Sequence, residues 1–106
     1  MYVVVCQDMP LSHQAVQACH ASVAAGRDLI RIPEPCLILV TVPALPDLVA
    51  LSVRLSAAGI AHLTFREEDM GERVTALATE PILQKDRKHF RDLPLFKIGN
   101  TVREAA

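Results

Sequence analysis

Two histidines seven residues apart with a glutamine between them, in "HQAVQACHA" (13–21), are the best-equipped stretch of this sequence for chemistry. On a helix, His13, Gln17 and His20 fall within about 60° of one another and form one polar stripe. An imidazole can take a proton from water, and a carboxylate nearby can orient that water. His13 and His20 are ~10 Å apart along the axis, too far to share one ion, so no metal is expected here. The first turn of the helix, with free N–H groups and the positive end of the dipole, favours an anion. Spacing alone favours the polar border of a packed helix, with His20 packed and hydrogen-bonded. Ser12 is expected to cap that helix; no Ser-His-acid arrangement that would make it a nucleophile can be read.

Two charged stretches could complete such a site. "REEDMGE" (66–72) supplies Asp69, and "KDRKHFR" (85–91) supplies Lys85, Arg87, Lys88 and Arg91, which could grip phosphates. Their plainest readings are a solvated turn and a solvated helix face. The net charge is −1, so no global basic field announces a nucleic-acid binder, and a polyanion would have to be held locally. Cys6, Cys19 and Cys36 are odd in number and sit among apolar neighbours, as buried reduced thiols do. Neither a disulfide framework nor a zinc site is expected, and no cofactor.

The elements that must position these groups follow from the apolar pattern. "YVVVC" (2–6) and "CLILVTV" (36–42) are continuous β-branched runs, as in strands covered on both faces. A helix is expected from His13 to about Asp28, with Val16, Cys19 and Val23 as its apolar stripe and Ala18, Ala21 and Ala25 as a second, small face. "RIPEP" (31–35) breaks the chain. Asp47 is a candidate cap for a helix over 48–59 that closes on Gly59. "IAHLTFRE" (60–67) alternates like a strand with one wetter face, and "RVTALAT" (73–79) is hairpinned to it. The tail carries a short helix at most, then "LPLFKI" (93–98), which could be extended. The order β-α-β-α-β-β predicts an α/β three-layer sandwich around a four-stranded mixed sheet, with two βαβ crossovers and one antiparallel hairpin. In such sheets the crevice lies beyond the carboxyl ends of the parallel strands, where "QDMPLS" leads into the histidine helix.

A chain of 106 residues, 51% hydrophobic and 22% charged, has a globular composition and suggests one domain over 1–106. No apolar run reaches the ~20 residues of a membrane span, and "MYVVVCQD" lacks a positively charged leader, so a cytosolic protein is expected.

"QACHA" (17–21) after a buried first strand resembles the type 2 peptidyl-tRNA hydrolases, whose helix carries Lys-x-x-x-Gln-x-x-His-Ala. "EDMG" (68–71) looks like that family's Asp-Ala-Gly loop, with Asp69 on its aspartate. "TALATEP" (75–81) is similar to its fourth-strand pattern at Thr75, Leu77 and Pro81, and "LPLFK" resembles its Leu-Lys-Leu ending. The resemblance spans nearly the whole chain. It implies metal-free cleavage of the ester between a peptide and tRNA by a lysine, the loop aspartate and a threonine; in this chain His13, with Asp69 and His20, would take up that work. Substrate contacts would come from Gln17, Ser12 and Thr75, and phosphate contacts from Lys85, Arg87 and Lys88. Three departures matter: His13 stands at the family's lysine, its catalytic threonine has no clear counterpart unless Thr75 serves, and Ala78 and Glu80 replace fourth-strand glycines. The alternatives are a lapsed module of the same fold that binds RNA, a nucleotide or a protein, and a homodimeric accessory domain joined by an apolar helix face or sheet edge.

Overall fold

The β-branched run Tyr2–Cys6 forms β1, and all five of its residues are buried, as a strand covered on both faces requires. The computed structural model describes residues 1–33 and 35–97. Around β1 stand α1 (Leu11–Asp28), β2 (Ile38–Val42), α2 (Leu45–Ala57), β3 (His62–Glu67) and β4 (Arg73–Thr79). Two 3₁₀ turns occupy Glu68–Met70 and Gln84–His89. The sheet order is β2-β1-β4-β3. β1 pairs with β2 in parallel, while β1 with β4 and β3 with β4 are antiparallel.

That order separates the helices. The connection from β1 to β2 moves one way along the sheet, and the connection from β2 to β3 travels back across it. Crossovers of one hand must then cover opposite faces, which gives the three-layer α/β sandwich. Both crossovers join strands of like direction, but only β1 and β2 are parallel neighbours, because the β3–β4 hairpin inserts β4 beside β1. On one face Leu48, Leu51 and Leu55 of α2 pack with Val4, Cys6, Val40, Val42 and Leu77. Each fully buried leucine there contributes about 1.5–3 kcal/mol. On the other face Ala18, Ala21 and Ala25 of α1 meet Val3, Val5, Ala76 and Ala78.

Several local expectations are corrected. Helix α1 starts at Leu11 with Pro10 as its N-cap, and no side chain caps it. Ser12 is instead an exposed residue of the first turn. The buried Gln14 fixes the entry, its Nε2 donating to Met9 O at 2.7 Å and Gln7 O at 3.4 Å. The alanine face of α1 meets the sheet, so Val16, Cys19 and Val23 point outward, with Val16 50% and Val23 72% exposed. Cys19 and Cys36 are therefore exposed thiols, and Cys6 alone is buried.

Helix α2 begins three residues earlier than expected. Asp47 lies inside its first turn and accepts the Ala44 N–H at 3.1 Å, rather than standing outside as the cap. It closes as expected around Gly59 (φ 74°), with Gly59 N–H donating to Ser56 O and Ile60 N–H to Leu55 O. This is the Schellman arrangement, and Ile60 and Leu55 add its apolar contact. Strand β2 is two residues shorter than the apolar run, and β3 starts at His62. The tail lies extended along the outer edge of β2: Leu95 bridges Val40, Thr41 N–H donates to Pro94 O, and Phe96 N–H donates to Leu39 O. Glu34 of the "RIPEP" break and Ile98 of the stretch expected to be extended lie outside the described residues. No described helix is long and apolar enough to cross a membrane.

Candidate functional site

Gln17 sits on the flank of α1 that lies over β3 and β4, and its amide joins three elements. Thr75 Oγ1 donates to Gln17 Oε1 at 2.7 Å, and Gln17 Nε2 donates to Glu67 Oε2 at 3.0 Å. The Thr75 contact exists because of a β-bulge. Phe65 pairs with Ala76 and Arg66 with Val74, which leaves Thr75 as an extra residue on β4. Bulges re-aim side chains in this way. Val74 and Leu77 keep to the α2 face, while Thr75 reaches Gln17 and Ala76 packs beneath α1.

Leu63, Phe65 and Glu67 alternate onto the α1 face of β3. Phe65 carries the His20 ring, stacked with centroids 4.9 Å apart and planes 5° from parallel. His20 is exposed and lines a depression of about 330 Å3 with Val23, Leu63 and Phe65. The Gln17 amide is the main cause that holds the Glu67 carboxyl below its usual range. Desolvation opposes it, and the Asp69 and Glu68 backbone N–H groups and the nearby His20 assist. An ionised carboxylate and an accessible imidazole thus share one rim, the first held by the buried Gln17, which is 4% exposed, and the second stacked on Phe65.

The same end of the sheet holds an ion pair, Arg73 Nη2 to Asp8 Oδ1 at 2.7 Å. Arg73 opens β4 opposite Glu67 in the β3–β4 register, and its Nε is buried without a hydrogen-bond partner. Because α1 and α2 leave β1 and β2 toward opposite faces, a crevice opens at the carboxyl ends of these strands. It encloses about 420 Å3 among Gln7, Met9, Gln14, Thr41 and Phe96. Gln7 Nε2 donates to Thr41 Oγ1 across it at 2.7 Å.

The expected residues separate into two groups. Gln17, His20 and Thr75 come together. His13 is exposed in the first turn and Asp69 is exposed in the Glu68–Met70 turn, and no hydrogen bond joins them. The carboxylate that enters the cluster is Glu67, two residues earlier. Lys85, Arg87 and Lys88 stand on the Gln84–His89 turn, which packs against α2 and is anchored by Phe90 in the α2-side core. They belong to the layer opposite Gln17, so the structure does not bring them to the cluster. Among the described residues no group of three or more His, Cys, Asp or Glu could hold a metal ion.

Glu67 was within reach of sequence reasoning, since Leu63, Phe65 and Glu67 follow the two-residue period of one strand face. The Asp8–Arg73 pair, 65 residues apart, left no local signal. On the α2 face, Ser52 Oγ lies 2.8 Å from His62 Nε2, and His62 Nδ1 lies 2.9 Å from Ile60 O. The carbonyl requires the proton on Nδ1, so the Ser52 hydroxyl donates to Nε2 and clamps α2 to β3. A scan against protein-family models finds no match, and no curated protein matches the chain.

Proposed function

We propose that the protein is a metal-independent ester hydrolase of the type 2 peptidyl-tRNA hydrolase kind, with Glu67 rather than Asp69 as its working carboxylate. The observation that carries this reading is the Thr75–Gln17–Glu67 chain beside the accessible ring of His20. Its support is chemical. The ionised Glu67 has one carboxylate oxygen beyond its bond to Gln17 with which to orient a water, and His20, exposed on the same rim, would take that water's proton. The water oxygen then adds to the ester carbonyl, the bond to the ribose oxygen breaks, and the proton on His20 passes to that leaving oxygen. His13, one to two turns toward the start of α1, lies ~10 Å along the axis from His20 and meets a different part of the substrate.

A second reading has its own observation. His13 and Asp69 are both unengaged, and the family's lysine is absent, which favours a module of this fold that binds RNA, a nucleotide or a protein without turnover. One experiment separates the two. The purified protein is assayed on a peptidyl-tRNA, with a free peptidyl ester for comparison. Hydrolysis that falls about a hundredfold in both Glu67→Gln and His20→Ala supports the enzyme. Binding without hydrolysis, with turnover appearing only in His13→Lys, supports the binding module.

A further inference from the structure

The outer face of α1 is unlike an ordinary solvent-facing helix surface. From Leu11 to Gly26 it carries no Asp, Glu, Lys or Arg, although charged groups normally line the side of a helix turned to water. Val16, Cys19 and Val23 stand exposed along its crest. Beside them an apolar groove of about 470 Å3 runs between α1 and β2, floored by Leu39 and walled by Leu37 and Phe96. Ridge and groove lie side by side on one surface.

We propose that this face joins two copies of the chain in a two-fold dimer, with their α1 helices antiparallel and crossing at Cys19. The crest explains the choice of partner. Ser12, Val16, Cys19, Val23 and Gly26 read nearly alike in both directions from Cys19. Antiparallel packing therefore sets Val16 against the partner's Val23, and the small Ser12 against the partner's small Gly26, so the helices approach closely. An interface about a two-fold axis must be self-complementary, and adjacent ridge and groove on each copy meet that need. The antiparallel arrangement also opposes the two helix dipoles. A nucleic acid would require cations on this face, and a charged protein would require their complement. A second copy is the partner whose facing surface is equally uncharged.

The area fits a reversible association. Helix α1 is ~27 Å long. A strip of that length and ~20 Å wide covers ~500 Å2 on each copy, or ~1,000 Å2 for the pair, at the low end of specific interfaces. Helices packed at ~8–10 Å bring the two Cys19 Cα atoms to about 4–5 Å, within reach of a short bifunctional thiol reagent.

Sedimentation of the full chain between roughly 1 and 200 μM tests the proposal, with a monomer–dimer equilibrium in the micromolar range expected. Val16→Glu and Val23→Glu, each checked for unchanged melting, should raise the dissociation constant about a hundredfold or more by placing a charge in the seam. Val53→Glu, on an equally exposed site of α2 (64%), should leave it unchanged. In a Cys36→Ser background a short bis-maleimide should link two chains through Cys19, and single-ended alkylation of Cys19 should slow as protein concentration rises. A monomer at 200 μM, as a face reserved for an unlike partner would give, overturns the proposal. So does a dimer indifferent to Val16→Glu and Val23→Glu, or one broken by Val53→Glu.

Discussion

Gln17 shows how much one side chain can decide. It is buried with both ends of its amide engaged, accepting from Thr75 and donating to Glu67. Thr75→Val keeps the shape and removes the donor, leaving a buried acceptor unmet. A loss of about 1–3 kcal/mol is expected in chemical denaturation, and an unchanged midpoint would mean the bond carries no weight. The Glu67 end predicts a pH effect. Its carboxyl is held below its ordinary value of 4.5 in the folded protein. The stabilisation is therefore fully present above 4.5 and is lost as pH falls through the lower folded value. Melting temperature measured against pH should decline over that acid window, and Glu67→Gln should flatten that part of the decline. Gln17 and His20 were legible from their spacing. The motif drew attention to Asp69 in the turn, whereas the carboxylate that meets Gln17 is Glu67, the last residue of the strand. Thr75 was named as a substrate contact, but its bond to Gln17 was not legible, since it depends on a bulge and so on how two strands pair.

At the scale of elements, strong periodicity located the strands and left the faces of α1 ambiguous. β4 falls at Arg73–Thr79, as the apolar pattern indicates. Helix α1 offered two weakly apolar faces, one of alanines and one of valines with Cys19, and hydrophobicity alone favours the valines. Fit decides otherwise. The sheet presents Val3 and Val5 between alanines, and a close-packed helix there needs small residues. The turn into β4 carries a cost that no composition reveals. Gly71 (φ 68°) and Glu72 (φ 62°) are both left-handed, and only glycine adopts that conformation without a Cβ penalty. Glu72→Gly should raise the stability by about 0.5–1 kcal/mol, whereas Glu72→Ala, which keeps the Cβ, should gain little. A thermal melt of both variants is the comparison.

For the molecule as a whole, the order of elements was enough to indicate a mixed sheet between helical layers. The position of β4 was not, because a hairpin can dock at either edge or fold back against the first strand, and packing chooses. The resulting sheet has two borders of different character. β3 carries the charged Arg66 and Glu67, and charge on an edge strand discourages further strands from adding. β2, "ILVTV", carries no charge, and its outward groups Leu39 O and Thr41 N are taken by Phe96 and Pro94 of the tail. Without that cover the segment combines high β-propensity, apolar side chains and a free ladder, the makings of ordered aggregation. A chain ended after Asp92 should form thioflavin-binding fibrils from solutions in which the full chain stays clear, and Leu39→Lys in the shortened chain should suppress them. Pro94, Leu95 and Phe96 beside β2 therefore act as a chaperone built into the sequence, occupying the template on which other molecules would otherwise polymerise.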